Sequence, residues 1–226
     1  MIILEGVAMC ENKNFIKQWE HTHLKHNEGR IISDDWLIEF ENSILPLEGL
    51  FLDLGCGSGN DTNTLINKYG KKVISCDFSS TALNQLKRKI PSAKVCKFDM
   101  TEQFPFENDQ FDCVISDLSL QYFDKETTKS IINEISRVLV PNGVLLLRVS
   151  GVEDVNYGAL RGEYLDHHFY YVEHRNKRFF DKQDVLDFFC NWSNVVLREM
   201  VMEKGRYEYE RRVVVAMFYN KNQLKI

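Results

Sequence analysis

A glycine-rich segment follows the first strongly hydrophobic run of the chain. After residues 50–54 come Gly55, Gly57 and Gly59, in a G-x-G-x-G spacing. A chain that leaves a strand, turns and enters a helix presents free backbone N–H groups to a carboxylate or phosphate, and glycines let that ligand approach closely. The dinucleotide fingerprint G-x-G-x-x-G needs its third glycine at position 60, which is Asn60. The spacing therefore predicts a charged ligand at a helix start and disfavours a nicotinamide dinucleotide.

Acidic residues stand at the ends of the hydrophobic runs around this segment. Asp53 lies two positions before the first glycine, where it would organise the loop and face the ammonium group of an amino-acid-bearing ligand. A pyrophosphate would be repelled there. Asp77 ends the next run, where nucleotide-binding folds place a carboxylate against the hydroxyls of a ribose, unless it only caps a helix. Phe78 beside it could lie against an adenine or belong to the core.

Two further acids follow the third and fourth runs. Asp99 with Met100 would combine an acceptor for an adenine amino group with an apolar surface, although an ordinary turn explains the pair equally well. Asp117 and Leu118 end the fourth run. Ligands of open α/β sheets bind outside the carboxyl ends of the strands, so the four strand ends are expected to edge one crevice.

Strand-like and helix-like segments alternate along the middle of the chain. Apolar runs predict five strands, over residues 50–54, 72–77, 93–98, 111–116 and 144–149. Between them, apolar residues at helical spacing predict amphipathic helices. The first is expected to be capped by Asp61 or Thr62 and the second by Ser79 or Ser80. This alternation predicts an α/β fold with a doubly wound, mostly parallel sheet.

The last part of the chain differs from this pattern. A capped helix is predicted over 181–191, and strands over 195–202 and 212–219. A short turn at Lys204 and Gly205 joins the two strands, which must therefore run antiparallel. The sheet is expected to finish with a hairpin.

Composition sets the remaining limits. The 226 residues, 44% hydrophobic and 27% charged, fit a single domain, divided into an N-terminal helical cap (1–47), a cofactor-binding core (48–149), a lid (150–180) and a C-terminal part (181–226). The absence of a signal-peptide pattern and of a membrane-length apolar run predicts a cytoplasmic protein with no membrane partner. A net charge of -5 without a basic block makes nucleic acid an improbable partner and favours a small-molecule substrate. The scattered cysteines give no metal-binding spacing, and no metal site is expected.

The glycine segment and the acids resemble the class I S-adenosylmethionine-dependent methyltransferases, whose first motif has the form hydrophobic-Asp-hydrophobic-Gly-x-Gly-x-Gly. Residues 51–59 match this motif throughout, and the resemblance continues to the turn at 139–143, where Asn142 replaces a common glycine. It implies a Rossmann-like methyltransferase fold with seven strands, and S-adenosylmethionine as cofactor, with S-adenosylhomocysteine as product. The residues that it implies for cofactor binding are Asp53, Gly55, Cys56, Gly57, Gly59, Asp77, Phe78, Asp99, Met100, Asp117 and Leu118. The tail is loosely similar to the branch with tellurite-resistance and thiopurine methyltransferases.

The acceptor is much less defined by the sequence. The histidines that could supply a general base are His21, His23, His26, His167, His168 and His174. Of these, His23 and His168 are the candidates for the catalytic base. Position alone makes Trp19, Arg148 and Tyr157 candidates for substrate contact. The favoured function is methyl transfer to a small molecule. The alternatives are an RNA- or protein-directed methyltransferase, a non-catalytic S-adenosylmethionine-binding domain and a nicotinamide-dependent oxidoreductase.

Overall fold

The computed structural model describes residues 19–20, 35–202 and 208–220, and these build one large sheet and one small sheet. The large sheet has seven strands in the order β3-β2-β1-β4-β5-β10-β9. Its strands are β1 (Leu50–Leu54), β2 (Lys72–Asp77), β3 (Lys94–Lys97), β4 (Phe111–Asp117), β5 (Leu139–Ser150), β9 (Ser193–Met202) and β10 (Arg211–Tyr219). The small sheet contains β6 (Glu163–Asp166), β7 (Phe169–Val172) and β8 (Arg175–Arg178).

Helices follow β1, β2, β4 and β8, and one short helix precedes β1. They are α1 (Glu41–Ile44), α2 (Asn60–Asn63), which continues into a π-helical turn over Thr64–Lys68, α3 (Ser80–Lys89), α4 (Lys125–Val138) and α5 (Lys182–Phe188). Short 3-10 helices cover Trp36–Phe40, Leu120–Tyr122 and Val155–Tyr157. None of the helices within the described ranges is long and apolar enough to cross a membrane.

Strand directions confirm the predicted fold class. Strands β1 to β5 pair in parallel, whereas β10 runs antiparallel to both β5 and β9. The chain order reverses between β1 and β4, which are direct neighbours. A crevice forms at such a reversal, outside the carboxyl ends of the strands, and all the predicted cofactor residues lie at or just after those ends.

Both faces of the large sheet are covered by apolar side chains. One cluster contains Leu52, Val114 and Leu145 and packs against α4 and α5, and a second contains Phe51, Ile115 and Leu146 and packs against residues 36–44. Alternate residues of one strand thus enter opposite clusters. This double burial explains why the central strands are apolar on both sides.

The segment 150–180, which the sequence predicts to be a lid, contains three strands. It folds into the antiparallel order β6-β7-β8, in which Tyr164 faces Tyr170 and Tyr170 faces Lys177. This segment contributes a small buried apolar cluster of Ala159, Val172 and Phe179. The small sheet contacts the loop that follows β4, because β8 lies against the 3-10 turn Leu120–Tyr122.

One helix cap and one strand start differ from the predictions. Gly59, and not Asp61 or Thr62, is the N-cap of α2, because its positive φ of 92° turns the chain into the helix. Ser79 caps α3 as predicted, and its hydroxyl accepts from the Ala82 N–H at 3.1 Å. The fifth strand starts at Leu139, since Phe111 pairs with Leu139 ahead of the irregularity in the ladder. The turn at 204–205 lies outside the described residues.

Candidate cofactor and acceptor site

The glycine loop connects β1 to α2 at the switch point of the sheet. Gly55, Gly57 and Gly59 have φ values of 76°, 51° and 92°, a region that side chains disfavour. A Cβ at Gly55 would lie 2.5 Å from the Ser119 Cβ, and a Cβ at Gly59 would lie 2.7 Å from the Leu86 Cγ. The loop therefore requires glycine for conformation at all three positions and for space at two of them.

Asp53 lies beneath this loop and is 1% exposed. Its Oδ2 accepts from the Thr62 hydroxyl at 2.6 Å, and Thr62 in turn is 2.7 Å from the Ser75 hydroxyl. Burial raises the pKa of Asp53 to about 7, an effect that the Thr62 hydrogen bond opposes and the charges of Asp117 and Asp77 reinforce. A cation bound nearby would favour the ionised carboxylate. The residue thus suits the ammonium group of an amino-acid-bearing ligand.

Asp77 ties the end of β2 to the glycine loop. Its Oδ2 accepts from the Gly57 N–H at 2.9 Å, and its Oδ1 accepts from the Ser79 N–H at 2.8 Å. Carboxylate oxygens are also the acceptors that the two hydroxyls of a ribose require. Phe78, the next residue, is half-buried. The role of Asp77 as ribose acid stays a prediction, and the structure adds a role in shaping the loop.

Met100 reaches the same loop from the end of β3. Its Cε is 3.3 Å from the position that a Cβ at Gly55 would take, so the thioether lies against the glycine. Asp99 is half-buried, and its Oδ1 accepts from both the backbone N–H and the hydroxyl of Thr101, at 3.0 and 2.8 Å. The pair therefore forms a local turn and still provides an apolar surface beside an acid, as the adenine prediction requires.

The end of β4 corrects one prediction. Arg148, expected to contact substrate, is 0% exposed, and its Nε and Nη2 bind the two carboxylate oxygens of Asp117 at 2.6 and 2.7 Å. The guanidinium also lies 4.8 Å from the centre of the Trp36 ring. Burial of the whole side chain leaves no surface for a substrate, so Arg148 is a structural partner of Asp117. Leu118 has a φ of 53°, and its N–H donates to the Arg148 carbonyl at 2.8 Å.

Trp19 and Glu20 lie across the crevice. The Glu20 carboxylate accepts from the Ser80 and Thr81 N–H groups at the start of α3, at 3.0 and 3.3 Å. The Trp19 ring packs edge-on against Tyr122 with centroids 5.0 Å apart, and the Arg175 guanidinium lies 5.1 Å from its centre. These two residues thus link the element after β2 to the loop after β4 and to the small sheet. Contact of Trp19 with a substrate stays a prediction.

Tyr157 lies within a polar cluster beyond the end of β5. The Arg211 guanidinium is 4.3 Å from the Tyr157 ring centre and donates to Asp154 at 3.0 Å and to the Ser150 hydroxyl at 2.6 Å. Lys177, 6% exposed, donates to the Tyr157 carbonyl at 2.9 Å. Burial and the Arg211 charge lower the pKa of Lys177 to about 7. Tyr157 therefore holds the lid to the sheet, and contact with substrate stays a prediction.

The two histidines proposed as bases have different outcomes. His23 lies outside the described residues. His168 is at the turn between β6 and β7, where its Nδ1 is 2.7 Å from the Asp184 Oδ2. That contact directs the ring toward the start of α5, and a role as base for His168 stays untested.

Several residues of the site were missed by sequence reasoning. Glu20, Tyr122 and Trp36 act through contacts with distant elements, and no spacing in the sequence announces them. Gln121, whose Oε1 accepts from the Ser150 N–H at 2.9 Å, joins the loop after β4 to the end of β5. The only sequence signal for Gln121 was an amide four residues beyond the end of β4.

A doubly wound seven-stranded sheet with a glycine loop after β1 and acids at successive strand ends defines the class I S-adenosylmethionine-dependent methyltransferase fold. The comparisons with known proteins agree. Residues 51–143 match the family model described as a methyltransferase domain. A solved S-adenosylmethionine-dependent methyltransferase from Methanosarcina mazei superimposes with a TM-score of 0.65 at 18% identity, over 79% of this chain and 95% of that one. Residues 51–143 thus match a methyltransferase domain, and the fold of the chain is that of solved S-adenosylmethionine-dependent methyltransferases.

Curated relatives act on different acceptors. The tRNA N(3)-cytidine methyltransferase METTL2B of Homo sapiens is 26% identical over 97% of this chain and 63% of its own length. The malonyl-[acyl-carrier protein] O-methyltransferase of Halorhodospira halophila is 31% identical over 60% of this chain and 45% of its own length. The chain therefore spans less than two thirds of the length of each of these relatives.

Proposed function

We propose that the protein binds S-adenosylmethionine along the carboxyl ends of β1 to β4 and transfers its methyl group to an acceptor. When bound, the cofactor supplies a methyl group that its sulfonium has already activated for displacement. The single observation that carries the proposal is the hydrogen bond from the Gly57 N–H to Asp77, because it joins the Gly55–Gly59 loop to the strand-end acid that nucleotide-binding folds place against a ribose. A third element, Asp53, adds a buried carboxylate beneath the loop.

The remaining contacts follow from position. We assign the backbone from Gly55 to Gly59, including Cys56, to the amino-acid end of the donor. Phe78 and Met100 would flank the adenine, and the Asp99 carboxylate would accept from its amino group. Asp117 and Leu118 would border the methyl end, because β4 is the next strand beyond the switch point. Trp19 would cover the donor from the side of α3.

Positioning is what these residues contribute to the reaction. An in-line displacement needs the nucleophile about 3 Å from the carbon and aligned with the leaving sulfur, which a closed and shaped site provides. Trp19, Tyr122 and Arg175 form a wall of two aromatic rings and one cation between the donor crevice and the small sheet. A wall of this composition suits a flat acceptor, since rings stack on a planar molecule and the guanidinium attracts electron-rich atoms.

We infer a small molecule as the first candidate acceptor. The net charge of -5, without a basic block, supports it, because phosphate contacts supply most of the affinity for nucleic acid. A base in RNA is the second candidate. The similarity to METTL2B favours it, since an alignment over 97% of the chain necessarily includes most of the small sheet and the final hairpin.

Cofactor binding is tested by thermal shift of the full chain with S-adenosylhomocysteine, NAD(H) and NADP(H). Stabilisation of about 2.7 kcal/mol is expected at a hundredfold excess of S-adenosylhomocysteine over its Kd, and none with the nicotinamides. Asp77→Asn should weaken binding. Asp112→Asn is the matched control, because Asp112 also accepts a glycine N–H, that of Gly49 at 2.9 Å, at the opposite edge of the sheet. Equal loss in both variants would contradict the assignment of Asp77.

The acceptor is tested with S-adenosylmethionine labelled in the methyl group. One reaction receives unfractionated tRNA and another receives a small-molecule extract freed of macromolecules. Label in the extract supports the first candidate, and label in nuclease-sensitive material supports the second. A protein that binds S-adenosylhomocysteine but labels neither fraction would contradict the transfer reaction.

A further inference from the structure

Two histidines and an aspartate meet where the small sheet touches α5. The Nε2 of His167 is 3.2 Å from the Asp184 Oδ1, and the Nδ1 of His168 is 2.7 Å from the Asp184 Oδ2. One donor atom from each of the three residues lies within 4.8 Å of the other two. Each imidazole thus contacts a different oxygen of the same Asp184 carboxylate.

The backbone holds both rings on one side. Side chains of consecutive residues normally diverge, but His168 has a φ of 52°, and the two ring centroids are only 3.9 Å apart with planes tilted by 33°. Both carbonyls of the turn are fixed as well, because Arg178 Nη1 donates to the His167 carbonyl at 2.7 Å and the Phe179 N–H donates to the His168 carbonyl at 2.8 Å. A non-glycine residue held at positive φ by its surroundings marks a site worth a functional explanation.

The carboxylate is fixed from the other side. Asp184 completes a capping box at the start of α5, in which its Oδ2 accepts from the Asp181 N–H at 3.0 Å and its own N–H donates to Asp181 at 2.8 Å. Its side chain is 12% exposed, whereas His168 is 24% and His167 is 68% exposed. The cluster therefore has a fixed inner ligand and an open outer side that an ion and water can reach.

We propose that His167, His168 and Asp184 form a site for a divalent transition-metal ion of the zinc type. Imidazole nitrogen and carboxylate oxygen are ligands that Zn²⁺ takes at about 2.0–2.2 Å, which sets tetrahedral ligand atoms about 3.3 Å apart. The two nitrogen-to-oxygen separations, 2.7 and 3.2 Å, are close to that spacing, so small movements of the rings suffice. Three protein ligands leave one position for water. This site is a revision of the expectation, drawn from cysteine spacing, that the chain holds no metal.

Such an ion would fasten the small sheet to the body of the protein. His167 and His168 belong to the turn between β6 and β7, whereas Asp184 belongs to α5, which packs on the large sheet. An ion bound by all three joins these parts and stabilises the folded chain by mass action. The role is structural and does not depend on the methyl-transfer reaction.

The test is a metal titration of the full-length protein after chelator treatment, followed by calorimetry and thermal shift. Zn²⁺ is expected to bind in a one-to-one ratio and to raise Tm, and Mg²⁺ is expected to do neither. His167→Ala, an exposed position that the fold tolerates, should weaken Zn²⁺ binding at least tenfold and abolish the shift, as should His168→Ala. His174→Ala is the matched control, because His174 is an exposed histidine on the next turn of the same sheet, and it should behave like the unchanged protein.

Cobalt identifies the ligands directly. Co²⁺ bound here should give weak visible bands without the intense thiolate charge-transfer band that a cysteine site produces. Binding that persists unchanged in both His167→Ala and His168→Ala, or a thiolate band, would overturn the proposal. The absence of any Zn²⁺-dependent shift, with stabilisation only on acidification, would overturn it too and reduce the cluster to a histidine–aspartate ion pair.

Discussion

Gly59 and Gly70 both have left-handed backbone, but their surroundings differ. Their φ values are 92° and 65°. A Cβ at Gly70 would meet nothing within 4 Å, whereas a Cβ at Gly59 would lie 2.7 Å from Cγ of the fully buried Leu86. Substitution by alanine at these two positions therefore separates the conformational cost of a left-handed side chain from the cost of overlap with the core.

The magnitudes follow from these two contributions. Left-handed conformation costs an alanine about 1–2 kcal/mol, and the reduced entropy of the unfolded chain returns about 0.4–1 kcal/mol. Gly70→Ala should therefore destabilise by about 0.5–1 kcal/mol. Gly59→Ala adds a methyl group to a packed core, for about 1–3 kcal/mol more, and a total of about 2–4 kcal/mol. In a chain of this size, each kcal/mol lowers Tm by about 2–4 °C.

The assay is urea unfolding with linear extrapolation, together with titration by S-adenosylhomocysteine. Unchanged m-values would show that unfolding exposes the same surface in both variants as in the unchanged protein, so that the free energies can be compared. Gly59→Ala should also weaken S-adenosylhomocysteine binding, because the loop must shift to clear Leu86, whereas Gly70→Ala should not. Equal destabilisation of the two variants, or unchanged ligand affinity in Gly59→Ala, would refute the argument that the loop is built around the absence of a side chain.

Three further predictions concern buried charges. Arg148→Met should lower the free energy of unfolding, measured in urea, by about 3–5 kcal/mol, because it leaves Asp117 buried without its ion partner. The double variant Arg148→Met with Asp117→Leu should recover much of that loss. No recovery would contradict the ion pair as the source of the loss. Burial lowers the pKa of Lys177 to about 7, so above that pH the folded state binds fewer protons than the unfolded state. The free energy of unfolding should therefore rise from pH 7 to 10, and Lys177→Met should remove this rise. A rise that persists in Lys177→Met would show that another group causes it. Burial raises the pKa of Asp53 to about 7, so between pH 4 and 7 the folded state binds more protons than the unfolded state. The free energy of unfolding should therefore fall across that range by up to about 1.4 kcal/mol per pH unit. An unchanged slope in Asp53→Asn would show that Asp53 does not cause the fall.

Much of the cofactor half could be predicted from the sequence because its signals are local. A strand, a turn and a helix start are set by neighbouring residues, so the G-x-G-x-G segment and the acids after it could be located without a structure. The right-handed parallel topology then brings the strand ends to one edge. The Ser79 cap and the inward positions of Leu83 and Leu86 follow from helical spacing in the same way.

The acceptor half depended on the tertiary structure because its contacts join residues far apart in the chain. Arg148 was expected to face a substrate, since it stands near a strand end, but the alternation of β5 turns it inward to Asp117. The cluster of Lys177 and Arg211, and the meeting of His168 with Asp184, arise where the small sheet docks on the large one. The sequence by itself determined the individual strands and helices and the glycine loop at the donor site. Docking, which no local spacing encodes, decided which polar groups are paired, buried or left facing the crevice.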